Sequence, residues 1–144
     1  VKNNCNNKVF KTKNISESDK KLIDQTSILT KNLKKEMRYQ NLNNYIKSVI
    51  DISFLTNKYI NDEEPWKLKN NNVEKMNNIL HISLEQIAKI SILLNPIIPN
   101  ASTKVLDALN ITNKIRNHGF LDGNNLIPNV VQIKELNILF KKIT

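Results

Sequence analysis

A chain of 144 residues with 40% hydrophobic content fits one domain around one core. Only 2 glycines and 4 prolines supply turns, too few for an all-β sandwich or barrel, and the single cysteine, Cys5, excludes an internal disulfide framework and a cysteine-built zinc site. The net charge of +9, from 22 Lys+Arg against 13 Asp+Glu, favours polyanionic partners; a generally solvated lysine surface is the equal alternative.

The charge is uneven. Residues 1–60 carry 12 basic and 5 acidic groups, and residues 61–144 carry 10 and 8. A polyanion is therefore expected on the first half. No apolar run is long enough to span a bilayer, and no cationic leader followed by an apolar stretch opens the chain. The polar opening without a start methionine reads as a fragment or excised domain.

Residues 1–14 are Lys- and Asn-rich, with Val1, Val9 and Phe10 as their few apolar anchors. They read as irregular, or as the frayed end of a helix whose start is missing. Ser16 with Asp19 three residues on is a weak capping box. Leu22, Leu29, Leu33 and Met37 then share one helical face, predicting a first helix over Ser18 to Lys35. A tight turn near Lys35 to Arg38 leads into a second helix over Tyr39 to Tyr59. Its apolar positions are Leu42, Tyr45, Ile46, Val49, Ile50 and Phe54, in steps of three and four. A single helix spanning both patterns would be unusually long.

Asn57 to Leu68 breaks the pattern with an acidic turn, Asp62-Glu63-Glu64, then Pro65 and the only tryptophan, Trp66. Asn70-Asn71-Asn72 can cap a third helix, Val73 to Leu94. Asn95-Pro96 stops it, and Pro99 suits the first turn of a short helix over Ala101 to Leu109. Ile111 to Asn117 suggests another turn or two. Both glycines fall in loop chemistry, His118-Gly119-Phe120 and Asp122-Gly123-Asn124-Asn125. The tail, 126–144, has a period ambiguous between strand and helix and is expected to pack back over the bundle. The expected fold is all-α, an antiparallel bundle of about five helices in one domain, 1–144.

Catalytic constellations are missing. Two isolated glycines build no phosphate loop. His81 sits beside the apolar face of the third helix and reads as a packed or surface histidine, not a metal ligand. His118 reads as polar surface. Cys5 has no activating neighbour beyond lysines. Asp62-Glu63-Glu64 reads as solvated turn acids.

Trp66 is the exception. A half-buried wedge between helices is the bland reading of a lone tryptophan. Pro65 limits the backbone that leads into the ring, and Lys58, Lys67 and Lys69 surround it. Aromatic surface beside cations can take an unpaired base by stacking while the lysines meet phosphate.

Asn57-Lys58-Tyr59-Ile60, followed by Glu64-Pro65-Trp66-Lys67-Leu68, resembles the anticodon-binding domain of methionyl-tRNA synthetases, where an N-K-Y-I, acidic turn, P-W element closes one helix. Leu80 through Leu94-Asn95-Pro96-Ile97-Ile98-Pro99 resembles that family's long helix ending in L-x-P-I-x-P. Ser102 to Leu109 resembles its next, short helix. Asn41-Leu42 and the spacing to Asn57 suit its second helix, with Asn41 in place of the usual small residue. Leu139-Phe140-Lys141-Lys142-Ile143 is similar to its closing L-F-P-R-I, with Lys141 where proline is common. The resemblance covers nearly the whole chain.

It implies an α-helical bundle of the class I synthetase anticodon-binding type. It implies that the bundle binds the anticodon loop of methionine tRNA, with Trp66 as the ring on which a base stacks and Lys58, Lys67 and Lys69 as candidate RNA phosphate contacts. The family's G-N-L-x-x-R element is absent here, so neither its Asn nor its Arg is carried over. The H-I-G-H and K-M-S-K-S elements and the zinc-binding insertion are absent too. The implied parent is an ATP-dependent methionine–tRNA ligase in the cytoplasm. ATP and a zinc ion belong to its catalytic domain, and this chain is expected to hold no catalytic residue, metal or cofactor. Expected partners are methionine tRNA and that catalytic domain, with no DNA and no membrane. Two alternatives stand: the corresponding domain of a leucyl, isoleucyl or cysteinyl enzyme, and a helical protein–protein docking module with Trp66 buried.

Overall fold

The computed structural model describes residues 5–123, 125–136 and 139. Four α-helices dominate the described residues: α1 (Glu17–Arg38), α2 (Leu42–Glu63), α3 (Val73–Leu94) and α4 (Pro99–Ala108). Three short 3-10 turns lie at Pro65–Leu68, Asn113–Ile115 and His118–Phe120. Two three-residue strands, β1 (Lys8–Phe10) and β2 (Val130–Gln132), complete the described elements.

α1 begins as its sequence dictates. The Ser16 hydroxyl accepts the Asp19 N–H at 3.2 Å, and the Asp19 carboxylate accepts the Ser16 N–H at 2.8 Å, a full capping box. The predicted face needs correction. Met37 is exposed, and the buried row is Asp19, Leu22, Thr26, Thr30 and Leu33. Both threonines bury their hydroxyls by donating to backbone carbonyls within the helix, Thr26 to Leu22 at 3.0 Å and Thr30 to Thr26 at 2.8 Å. A hydrophobic count cannot see polar residues satisfied in this way.

The turn between α1 and α2 lies at Tyr39–Asn41, later than the predicted Lys35 to Arg38. Gln40 takes a left-handed φ of 55°. Asn41 then caps α2 by accepting the Asn44 N–H at 3.2 Å. α2 buries Tyr45, Val49, Ile52, Thr56 and Tyr59, so Leu42 and Phe54 stand exposed although their spacing had placed them inside.

α3 matches its predicted bounds. It is the central helix, with both polar and apolar residues buried around its circumference from Met76 to Leu93. Burying one of its large aliphatic side chains, such as Leu93, contributes about 1.5–3 kcal/mol. The Ile97 and Ile98 N–H groups return to the Leu94 carbonyl at 2.9 Å, and Pro99 starts α4 two residues before the predicted Ala101. Ile111 to Asn117 yields one 3-10 turn.

The opening segment is a further correction. Residues read as irregular form β1, which pairs antiparallel with β2 in the register Lys8–Gln132, Val9–Val131 and Phe10–Val130. Val9 and Val131 face each other and are fully buried. The ladder extends through Lys11 N–H to Asn129 and Ile133 N–H to Asn7, at 2.7 and 2.8 Å. Asn6 and Asn7, just ahead of β1, both take left-handed φ, 47° and 62°. The tail does pack back over the bundle, since Leu126, Ile127 and Val131 are buried in the main core. Phe140 to Thr144 lies outside the described residues.

Candidate RNA interface at the Trp66 corner

The corner forms where α2 must stop. Glu64 closes the helix in the left-handed region, φ 44° and ψ 56°, with its N–H on the Ile60 carbonyl at 3.1 Å. Pro65 follows as the first residue of the 3-10 turn, where its missing N–H costs nothing. The Asn71 and Asn72 N–H groups return to the Leu68 carbonyl, and the Asn72 side chain caps α3 by accepting the Lys75 N–H at 2.9 Å. Helix end, turn and next helix start are thus hydrogen-bonded in continuous succession.

Burial fixes which way the turn faces. Pro65 is buried, and Leu68 packs on a small cluster of Leu22, Tyr59, Ile79 and Ile82 beneath the corner. Trp66, between those two anchors, is 48% exposed. That disagrees with the docking-module alternative, which has Trp66 buried, and leaves about half of the residue open to solvent.

A buried polar network supports the corner from inside. Tyr59 donates its hydroxyl to Asp19 at 2.5 Å, and Asn78 donates to the other Asp19 oxygen at 2.6 Å. Asp19 is 1% exposed, so three helices meet on one carboxylate. Glu63 makes a second junction by accepting from the Ser18 hydroxyl at 2.6 Å and pairing with Lys75 at 3.0 Å. The sequence reading of Glu63 as a solvated turn acid is therefore corrected: it joins α2 to α1 and α3. Burial drives the Tyr59 phenol far above its ordinary pKa, and Asp19 adds to the shift. No sequence signal pairs Asp19 with Asn78; only the helical phase of Tyr59 within N-K-Y-I marks it as inward-facing.

At least two of the three predicted lysines are not unopposed cations. Lys58 pairs with Asp62 at 3.3 Å and Lys67 with Glu64 at 2.8 Å. Lys69 is exposed, engages its own surroundings, and its charge reaches Cys5. Beside the corner, a groove of about 250 Å³ runs between α1 and α2, lined by Ser18, Lys21, Gln25, Lys58 and Asp62 among others. Lys21 of α1 thereby faces the same groove as Lys58 of α2, a basic residue the motif alone did not single out.

The remaining sequence candidates are structural. His81 is 3% exposed, with Nε2 3.1 Å from the Pro128 carbonyl. Burial lowers its pKa, against the raising effect of that hydrogen bond. His118 is not simple surface. Its Nε2 lies 3.3 Å from the Tyr45 hydroxyl, which itself donates to the Leu93 carbonyl at 2.6 Å. Burial lowers its pKa, and Lys34 adds to the effect. Cys5 is partly buried against the main core, and burial pushes its thiol up, which disfavours the reactive thiolate. No helix among the described residues is long and apolar enough to cross a membrane.

The described residues thus form an all-α domain centred on a buried helix, with an aromatic corner presented between two helices. The fold matches that of apo Mycobacterium tuberculosis methionyl-tRNA synthetase with a TM-score of 0.87, covering 98% of this chain and 29% of that one at 19% identity. The chain belongs to the family described as the anticodon binding domain of methionyl tRNA ligase, whose model matches residues 9–144. Relatives include the methionine–tRNA ligases of Cytophaga hutchinsonii, 38% identical over 96 residues, and Brucella suis, 28% identical over 109 residues. Those matches cover 66% and 76% of this chain but only 14% and 21% of the relatives. The chain therefore spans a minor part of their length.

Proposed function

We propose that this chain is the anticodon-reading domain of a methionine–tRNA ligase, and that Trp66 is the surface on which a base of the methionine anticodon stacks. The observation that carries this reading is the half-exposed Trp66 ring on a turn pinned at both sides by Pro65 and Leu68. A ring already held in place loses little freedom when a base arrives, so stacking retains its full ~1–3 kcal/mol. Family membership supports the choice of ligand.

Phosphate contact falls to Lys58, Lys67 and Lys69 at the corner, with Lys21 along the groove. Because Lys58 and Lys67 are each shared with a carboxylate, their contribution is smaller than an unopposed cation's. The catalytic domain of the parent ligase supplies methionine activation with ATP, and zinc where present, and it is this domain's partner. Such an enzyme works in the cytoplasm.

Titration of the chain with anticodon stem-loops, followed through Trp66 fluorescence, tests the reading. A CAU loop is expected to quench Trp66 and to bind more tightly than loops with leucine, isoleucine or cysteine anticodons. Trp66→Ala, followed by labelled RNA, is expected to weaken binding about 5- to 150-fold, matching ~1–3 kcal/mol, with helicity unchanged. Equal binding by the variant would rule out stacking; preference for another anticodon would rule out methionine tRNA.

A further inference from the structure

The segment linking β1 to α1 packs against α3, and a small cavity of about 90 Å³ lies in that seam, with Ile15, Ile23 and Ile82 making much of its wall apolar. Gln86 of α3 and Thr12 of the linking segment both line it, with Lys11, Asn78, His81 and Glu85 nearby. Gln86 is fully buried. Among the described residues, neither its Oε1 nor its Nε2 has a hydrogen-bond partner, and the buried Thr12 hydroxyl has none either. Buried amides in folded proteins are met by protein groups or by ordered water, because an orphaned donor or acceptor keeps its whole desolvation cost.

The neighbouring groups are already engaged. The two Glu85 oxygens accept from the Leu126 and Ile127 N–H groups at 2.6 and 3.1 Å. The Asn78 amide donates to Asp19, and His81 Nε2 meets the Pro128 carbonyl. Three unspent polar atoms thus belong to two residues that line one cavity: an acceptor and a donor on Gln86, and a hydroxyl on Thr12. Its occupant must both donate and accept, which no simple ion does. It must also be small, since about 90 Å³ has room for a few waters and little else. The Gln86 amide and the Thr12 hydroxyl supply the two to four polar partners that a buried water needs, set in an otherwise largely apolar wall.

We propose that this cavity is a specific water site, in which ordered water bridges the Gln86 amide to the Thr12 hydroxyl and so ties α3 to the segment that leads into α1. Thr12, Ile15 and Asn78 also line a larger outer cleft of about 530 Å³, which gives the site a route to bulk solvent. The bridge adds to the direct hydrogen bonds that join the opening segment to the central helix, Phe10 N–H to Asn77 and Asn14 to Glu74. It is independent of any role for Trp66.

Water–protein cross-relaxation NMR on the intact chain tests this directly. The Gln86 side-chain amide protons are expected to show cross-peaks to water with the sign of residence longer than about a nanosecond. Gln86→Met keeps the length and shape of the side chain. It is expected to lower the urea midpoint, because the Thr12 hydroxyl loses its bridge. Thr12→Val, a milder change, is expected to weaken the Gln86 water cross-peaks and gives a readout if Gln86→Met fails to fold. Absence of water cross-peaks at Gln86 in the unaltered chain overturns the proposal. So does a raised midpoint in Gln86→Met, the result expected of a dry cavity with an orphaned amide.

Discussion

The Tyr59 hydroxyl donates to the buried Asp19 carboxylate at 2.5 Å, joining the last turn of α2 to the first turn of α1 directly beneath the Trp66 corner. Asp19 also caps α1 and accepts from Asn78, so Tyr59 supplies one of three donors to a carboxylate cut off from water. Tyr59→Phe keeps the ring in the small core and removes only that donor. It is expected to cost about 1–3 kcal/mol, read as a lower urea midpoint with an unchanged slope. Trp66 fluorescence should shift as well, because the support under the turn loosens. A midpoint equal to the parent's would show that the network does not hold the corner.

Lys58 and Asp62 form an exposed i,i+4 pair at 3.3 Å, with side chains 75% and 60% exposed. Such a pair adds at most about 1 kcal/mol to stability. Its effect on RNA binding is larger, since Asp62 both competes for the lysine and repels phosphate. Asp62→Asn is therefore expected to leave the thermal midpoint nearly unchanged and to tighten anticodon stem-loop binding. The plot of log affinity against log salt should steepen by about one. Unchanged affinity and slope would remove Lys58 from the RNA contact.

Sequence and structure agree most closely where a local rule suffices. Val73 to Leu94 was legible to the residue, because Asn72 caps it and Asn95-Pro96 ends it. The Pro65-Trp66 corner was legible for the same reason: one proline and one broken period. The strands β1 and β2 were not. Each is three residues long, and their pairing joins residues more than a hundred positions apart. No periodicity can develop over three residues, so only tertiary contact defines them. The polar core was hidden for a different reason. Asp19, Thr30 and Glu85 are buried yet look like surface residues, because their partners are backbone groups or distant side chains.

The buried His81 makes stability depend on pH on the acid side. Its folded pKa lies below the ordinary 6.5, because burial penalises the charged ring. The unfolded chain therefore takes up the proton first. Stability from the neutral ring is fully present above pH 6.5 and is lost as pH falls through the window beneath it. His118 shifts in the same direction and adds to the trend. The urea midpoint of the His118→Asn chain is expected to fall on acidification below pH 6.5. Adding His81→Gln should remove that fall. A slope that persists in the double variant would place the acid sensitivity elsewhere.

Glu85, one turn along α3 from His81, carries the opposite sign. Its carboxylate accepts the Leu126 and Ile127 N–H groups and so holds the tail segment against the central helix. Burial raises its pKa above the ordinary 4.5, with those two hydrogen bonds and Lys89 partly opposing the shift. Because the folded state favours its proton, stability falls as pH rises from 4.5 through the raised value. That trend partly masks the one due to His81, whose loss runs towards acid. Glu85→Gln removes the titration but offers only one acceptor oxygen to two N–H donors. It should cost about 1–3 kcal/mol, the scale of one buried donor left unmet. Two readouts separate these effects. Amide exchange at Leu126 and Ile127 should speed up in Glu85→Gln while exchange within α2 changes less, since the lost contacts lie on the tail. The midpoint of the same variant should rise more steeply from pH 5 to pH 7 than the parent's, because only the His81 and His118 trend remains. Unchanged exchange at the two tail amides would show that the carboxylate does not anchor the tail, whatever the effect on the midpoint.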